Sequence, residues 1–258
     1  MHKIILTVLL FFSVCMLHAG GALRIADASR AGIGALNAAA LKLAAAENTA
    51  VSVDRVTPRE ALQRLKAGRA DLIVLEHGNL PPEFAGKSRL FAAEVLAVYI
   101  HAGNRINNIS RRELREIMTD KRPGWSSFSP LMKTDIHRFG LNERAPGYRL
   151  AESLLGVDKT ADEIFKTSTA AETVLLVQND PDALGVAPLI PTGSGVKVLN
   201  IQNISPTPQN IKAGKYLLCW RYYIIVPQKI SSAALEFLKI TDTRDFLRDL
   251  EDSGFMAL

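Results

Sequence analysis

The chain has 258 residues, a formal net charge of +5 at pH 7 and two cysteines. The charge is only mildly basic, and no block of Lys and Arg with interleaved aromatic residues occurs, which argues against nucleic acid binding. The length fits one large domain or two lobes of about a hundred residues each.

Residues 1–21 are expected to be a secretory signal peptide. Lys3 supplies the positive charge, residues 4–17 form an apolar run, and small residues follow at Ala19 and Gly20. The run is shorter than the ~20 apolar residues of a membrane span, and no later stretch is long and apolar enough either. We therefore expect an exported soluble protein, periplasmic or secreted, cleaved near Gly21 or Ala22.

Cleavage would remove Cys15 and leave Cys219, so no intramolecular disulfide is expected. A lipoprotein is disfavoured, because its motif needs small residues just before the cysteine, and Phe12, Ser13 and Val14 precede Cys15. The apolar neighbours of Cys219 predict a buried strand, in which a free thiol behaves as a small hydrophobe. A catalytic thiol would need a nearby histidine, and no sequence signal supplies one.

Strands and helices alternate at the start of the mature chain. Strands are predicted at residues 23–25, 51–56 and 71–75, and a helix at 35–46. A second helix begins after Thr57, where Pro58 and Glu60 complete a capping signature, and it stops at Gly68. This order is typical of a parallel sheet with helices on its faces.

Residues 104–125 form the most informative segment. Ser110 and Glu113 predict a capping box at the start of a short helix. Leu114, Ile117 and Met118 give that helix an apolar face. Pro123 and Gly124 end it, and Trp125 offers a large apolar anchor.

The rest of the chain continues the mixed pattern. Strands are predicted at residues 95–100, 136–139, 183–187, 196–199 and 222–226. Helices are predicted up to Leu154, after the capping pair Thr169 and Glu172, and at 233–239 and 243–250. The glycine-rich run 193–195 lies between strands and is interpreted as a turn.

Four segments resemble, in order, the PstS-like family of periplasmic phosphate-binding proteins. They are residues 23–75, 104–125, 182–188 and 196–227, and the tail 237–255 is also similar. In the fourth segment the family's run is matched by Pro206, Thr207, Ile211, Gly214, Tyr216 and Arg221. The resemblance implies a two-lobed α/β fold, each lobe a mixed sheet flanked by helices, joined by a two-stranded hinge. Lobe one would be residues 22–102 plus 196–258, and lobe two residues 103–195.

The same resemblance implies an oxyanion site in the cleft, built without metal or cofactor from helix N-termini, hydroxyl groups and arginine. The candidate ligand-binding residues are Ser29, Arg30, Thr57, Glu76, Arg138, Gly147, Tyr148 and Arg149. Alternatives stay open: Ser29 and Thr57 also fit helix caps, and Glu76 also fits an exposed loop carboxylate. In a ligand role, Glu76 would accept a proton from a protonated oxyanion.

One loop departs from the family pattern. The family's Gly-Ser-Gly-Thr is replaced by Ala145, Pro146, Gly147 and Tyr148, and Pro146 offers neither a hydroxyl nor an N–H. The arginine that precedes it in the family is matched by either Arg138 or Arg144. Together with Arg149 these arginines form a cationic site for a carboxylate, sulfate or larger anion, or they are ordinary surface charges.

These observations predict an exported solute-binding protein that captures phosphate or another small oxyanion or carboxylate for an ABC-type transporter. The alternative is a sensor or interaction module of the same fold with a degenerate cleft. An enzyme is not predicted. His77, His101 and His137 are too dispersed for a metal site, and neither a Gly-x-Ser-x-Gly elbow nor a Walker loop occurs.

Overall fold

The computed structural model of the protein describes residues 22–30, 32–119, 124–156, 163–227 and 229–258. The predicted signal peptide and Pro123 lie outside these ranges. The strands are β1 (Leu23–Asp27), β2 (Val51–Arg55), β3 (Leu72–Glu76), β4 (Ser88–His101), β5 (Asn108–Ile109), β6 (His137–Leu141), β7 (Phe165–Thr167), β8 (Ala183–Pro188), β9 (Val196–Val198), β10 (Asn200–Ile201), β11 (Cys219–Ile225) and β12 (Met256–Ala257). The helices are α1 (Gly34–Glu47), α2 (Pro58–Lys66), α3 (Arg111–Thr119), α4 (Tyr148–Leu155), α5 (Ala170–Gln178), α6 (Pro208–Lys212), α7 (Ser232–Ile240) and α8 (Arg244–Asp252).

The long strand β4 connects two lobes. Its first part, up to Val95, pairs antiparallel with β11, which continues through β3 and β1 to β2. Its second part, from Leu96 to Ile100, pairs antiparallel with β8, which continues through β6 to β7. Both sheets are mixed, because β1 pairs in parallel with β2 and β3, and β6 with β7 and β8. The predicted two-lobed α/β fold is confirmed; the boundaries at residues 102 and 196 stay a prediction.

Helices cover both faces of each sheet, because each face is apolar and must be buried. In the first lobe α1, α7 and α8 pack together on one face, while α2 covers the buried side chains of Ile73 and Leu75 on the other. In the second lobe α4 and α5 cover opposite faces of β8, whose Val186 and Ala187 alternate between them. No helix among the described residues is long and apolar enough to cross a membrane.

The predicted capping box of α3 is confirmed in both directions. The amide of Glu113 donates to Ser110 Oγ at 3.1 Å, and the amide of Ser110 donates to Glu113 Oε2 at 2.6 Å. Trp125 is fully buried, and its Nε1 donates to the carbonyl of Asp182 at 3.0 Å. Trp125 thus anchors its own turn against the turn that leads into β8.

Several elements differ from the sequence expectation; the short strands β5, β7, β10 and β12 were not predicted, and β11 begins at Cys219 instead of residue 222. Strand β4 begins at Ser88, well before the predicted 95, because residues 88–95 pair with β11 on one side and Ala92 and Ala93 pair with β12 on the other. The short helix α6 was not predicted; Thr207 caps it. At α2 the hydroxyl of Thr57 accepts the Glu60 amide as expected, but the Glu60 carboxylate binds Arg64 at 2.6 Å instead of closing a capping box.

Candidate functional site

The carboxyl ends of the strands of both lobes converge on the middle of β4. In lobe one β3 ends at Glu76, which is paired with Tyr222 of β11, itself paired with Ala92 of β4. In lobe two β8 ends at Pro188, which is paired with Leu96. Open α/β sheets bind ligands outside the carboxyl ends of their strands. The candidate cleft therefore lies around residues 94–96.

The loop after β1 carries a buried hydroxyl without a partner. Ser29 is 3 % exposed, and its Oγ has no hydrogen-bond partner among the described residues. The alternative that Ser29 caps α1 is wrong, because Ile33 is the N-cap residue and no side chain caps that helix. Instead, the carboxylate of Asp27 accepts the amides of Ser29 (2.8 Å) and Ile33 (3.3 Å). An internal carboxylate thus occupies two amide donors of this loop.

Arg30 and Glu76 form an ion pair at this edge of the sheet. Arg30 Nε donates to Glu76 Oε2 at 2.6 Å, and the guanidinium lies 4.6 Å from the centre of the Trp220 ring. Glu76 is 7 % exposed, so the alternative of an exposed loop carboxylate is wrong. The Arg30 side chain is 53 % exposed and can be reached from the cleft.

A second arginine, which the sequence reasoning missed, holds the same loop. Arg55 Nη2 donates to the carbonyls of Ser29 (3.3 Å) and Arg30 (3.1 Å). Its side chain crosses Gly32 so closely that a Cβ there would lie 1.8 Å from Arg55 Nη1. The glycine in the small-residue loop was the available signal, since it marks a close approach, but it did not identify the approaching group.

Thr57 lies beyond the carboxyl end of β2 and is exposed. Its hydroxyl oxygen accepts the amide of Glu60 at 3.2 Å, which is an ordinary N-cap hydrogen bond. Thr57 thus shares the edge of the sheet with Ser29 and Glu76, and the capping role that the sequence indicated is confirmed.

The altered loop of lobe two lies at the junction between the lobes. Gly147 adopts φ +87°, and a Cβ there would lie 2.2 Å from Pro188 Cγ. Tyr148 begins α4, and burial together with the charges of Glu152 and Glu143 raises the pKa of its hydroxyl. That acidic surrounding does not favour an anion at the hydroxyl. Arg149 is exposed.

Arg138 is not brought together with the other candidates. Its side chain is buried near the amino end of β6, where Nη1 donates to the carbonyl of Ile117 at 2.9 Å and Nη2 lies 3.7 Å from Glu163. Strand geometry places it about 10 Å from Leu141, where β6 ends. Arg144, the other arginine left open by the sequence, is exposed in the loop after β6.

A pocket of about 190 Å³ adjoins the Arg30–Glu76 pair on lobe one, and sequence reasoning did not assign it. Its principal lining residues are Glu76, His77, Gly214, Leu217, Trp220 and Arg221. Burial and the charge of Arg221 lower the pKa of His77. Cys219 also reaches the pocket; as predicted it lies on a strand, where it is partly buried, and burial raises the pKa of its thiol to about 11.

The model of the PBP superfamily domain matches residues 18–240. The chain therefore belongs to the PBP superfamily, a class of solute-binding proteins, and within it the chain is PstS-like. It is 29% identical over 103 residues to the phosphate-binding protein PstS 2 of Streptococcus agalactiae serotype V. That match covers 40% of this chain and 35% of the relative, so the chain spans about a third of the length of the curated relatives it matches.

Solved structures with the same two-lobed fold match most of the chain. PstS from Borrelia burgdorferi is 17% identical, with a TM-score of 0.70 over 92% of this chain and 99% of that chain. An ABC-type phosphate transport receptor from Vibrio cholerae is 19% identical, with a TM-score of 0.61 over 91% of this chain and 99% of that chain. These likenesses support the architecture described above.

Proposed function

We propose that this protein is an exported solute-binding protein that captures a small anion in the cleft between its lobes and presents it to an ABC-type transporter. The observation that carries the proposal is the convergence of the strand ends of both lobes on β4, with Ser29, Arg30 and Glu76 on one side and Gly147 on the other. The superfamily is a binding class, so no catalytic step is proposed.

The ligand would be held by Arg30, whose guanidinium would exchange or share its partner Glu76 with the bound anion. A bound anion would accept hydrogen bonds from the exposed guanidinium, and the Ser29 hydroxyl, which lacks a partner among the described residues, would add a donor. Backbone N–H groups in the first turn of α4 would contribute from lobe two. Closure would be favoured only to the extent that the anion binds the closed state more tightly than the open one.

The identity of the anion is the finer part of the proposal. The names of the similar proteins, which include a phosphate-binding protein and a phosphate transport receptor, support an oxyanion. The site itself offers less to a dianion than a loop of free donors would, because Asp27 already accepts two amides and Pro146 has no N–H to donate. We therefore keep phosphate, another oxyanion or a carboxylate as the candidate ligands.

Export and transport complete the proposal. Residues 1–21 have the pattern of a secretory signal, and a phosphate receptor of an ABC transporter is among the similar proteins. We propose a periplasmic or secreted protein whose partners are the ligand and the membrane subunits of a transporter. Neither a nucleic acid nor a membrane span in the mature chain is part of the proposal.

Thermal unfolding and calorimetry with phosphate, sulfate and acetate would test this function. Ligand binding to the native state raises the melting temperature by mass action. We expect a saturable rise with at least one anion and its loss in Arg30→Gln. Arg69→Gln removes the same charge from an exposed arginine between α2 and β3, at the opposite edge of the sheet, and should bind like the wild type. No rise with any anion would refute the receptor function.

The second candidate function is a sensor or interaction module that has kept the fold and lost the anion site. It is favoured by a specific observation: Asp27 and Glu76 already occupy the donors that a ligand would need. It predicts no saturable anion binding by either calorimetry or thermal unfolding, with a folded, cooperative protein in both measurements.

A further inference from the structure

Arg221 is a cation in the pocket beside the cleft, and its charge has no counter-ion among the described residues. It lies on β11, and its guanidinium rests on Gly214, where a Cβ would come within 2.9 Å of Nη1. Within the part of the chain that the structure describes, no carboxylate forms an ion pair with it. The side chain is half-buried and lines the pocket, so its charge is directed at a space that a ligand can enter.

The other titratable groups of the pocket leave this charge uncompensated. Glu76 is already paired with Arg30, so the two charges offset each other. His77 is neutral at pH 7, because burial and Arg221 lower its pKa. The thiol of Cys219 stays protonated, since burial raises its pKa to about 11. Counted over the described residues that line it, the pocket therefore carries one net positive charge and matches one negative charge on a ligand.

The walls of the pocket favour a ligand with an apolar body. Leu217 is 52 % exposed at the pocket, and the largely buried Trp220, which is 8 % exposed, also lines it. The volume of about 190 Å³ is that of about six water molecules, at ~30 Å³ each. That space holds a carboxylate and several carbon atoms.

We propose that Arg221 anchors a small organic monoanion, whose carboxylate pairs with the guanidinium while its apolar body packs against Leu217 and Trp220. Guanidinium and carboxylate match as a bidentate pair. A dianion such as hydrogen phosphate would bring a second negative charge close to Glu76, which disfavours it. The inference rests on the proposed function, because the pocket shares Glu76 and Trp220 with the Arg30 site and would extend the same cleft.

Isothermal titration calorimetry of the mature protein at pH 7 and constant ionic strength tests the proposal. The probes are isovalerate, its neutral analogue isovaleramide, and inorganic phosphate. We expect the wild type to bind isovalerate more tightly than phosphate and to show no measurable binding of isovaleramide. Arg221→Gln should weaken isovalerate binding at least tenfold, and Arg221→Lys, which keeps the charge without the bidentate geometry, should weaken it less. Arg69→Gln is the matched control and should bind isovalerate as the wild type does.

The variants also separate this inference from the proposed function. Equal isovalerate affinity in Arg221→Gln and wild type, or equal binding of isovalerate and isovaleramide, would overturn the role of Arg221. Phosphate or acetate binding that depends on Arg30, together with isovalerate binding that is unchanged in Arg221→Gln, would overturn the inference while the proposed function stands. Absence of binding of every anion to the wild type would overturn both. Melting temperatures of the variants verify that each is folded before its affinity is compared.

Discussion

Replacing Arg30 by Gln should destabilise the protein even without ligand, because Arg30 is the partner of a buried carboxylate. Glu76 is 7 % exposed, and Arg30 Nε at 2.6 Å is its hydrogen-bond donor in the described structure. The guanidinium also stacks on Trp220 at 4.6 Å. Gln is too short to reproduce both contacts and carries no charge.

The expected loss follows from three contributions. Leaving a buried acceptor without its donor costs about 1–3 kcal/mol. The cation–π contact adds about 0.5–1 kcal/mol at an exposed site. The Coulombic attraction contributes at most about 1 kcal/mol, because the Arg30 side chain is 53 % exposed and screened by water. Since these effects overlap, we expect the free energy of unfolding to fall by about 2 kcal/mol, or roughly 4–8 °C in melting temperature for a chain of this size.

A double-mutant cycle in urea denaturation isolates the pair. Glu76→Gln removes the charge that Arg30 neutralises, so the double variant should recover about 1–2 kcal/mol relative to the sum of the single changes. Arg69→Gln controls for the loss of a positive charge. A change below about 0.5 kcal/mol in Arg30→Gln, together with no coupling to Glu76, would refute the reasoning that the ion pair stabilises this edge of the lobe.

Three further changes test other parts of the structure. Burial raises the pKa of Glu94, so just above the ordinary carboxyl range the folded state holds a proton that the unfolded chain has released, and the free energy of unfolding should fall as pH rises there. In urea denaturation at successive pH values, Glu94→Gln should flatten this part of the stability profile. An unchanged slope in the variant would contradict the expected titration of Glu94. Trp125→Ala removes a fully buried side chain and should cost about 3–5 kcal/mol in the same assay; a loss under 1 kcal/mol would be inconsistent with its burial. In Gly147→Ala a residue with φ +87° would also place its Cβ 2.2 Å from Pro188, whereas Gly254→Ala has φ +84° and open space around the Cβ. In thermal unfolding, Gly147→Ala should therefore lower the free energy of unfolding by about 1–3 kcal/mol more than Gly254→Ala. Equal losses in the two variants would show that only backbone strain matters.

Local signals in the sequence were sufficient to predict hydrogen bonds between residues that lie a few positions apart in the chain. Ser110 and Glu113 bond each other across one helical turn, so a four-residue pattern predicted both hydrogen bonds. The same pattern at Thr57 and Glu60 predicted the cap but not the fate of the carboxylate, which Arg64 takes from one turn further along the helix. A capping pattern identifies one possible hydrogen-bond partner of a side chain, but it does not rank that partner against others on the same helix.

The site was less predictable because its contacts connect distant parts of the chain. Arg30 and Glu76 are 46 residues apart, so the ion pair that occupies both candidates was not visible in either motif. Arg138 and Arg144 both qualified, with different gaps, as the arginine before the altered loop. Only the direction of β6 separates the buried structural arginine from the exposed one at the carboxyl end. Resemblance located the loops, while the electrostatic partners of each residue required the fold.

These partners change what a ligand must do in this cleft. Asp27 accepts the amides of Ser29 and Ile33 in the loop before α1, Glu76 pairs with Arg30, and Arg55 binds two carbonyls of the same loop. An anion at Arg30 must therefore displace or share a carboxylate that is already well bonded, and its net affinity is the difference between two charge-assisted interactions. Arg221 has no such competitor among the described residues. By this comparison an anion gains more binding free energy at Arg221 than at Arg30. The losses of anion affinity in Arg30→Gln and Arg221→Gln, measured side by side, give the difference between the two sites.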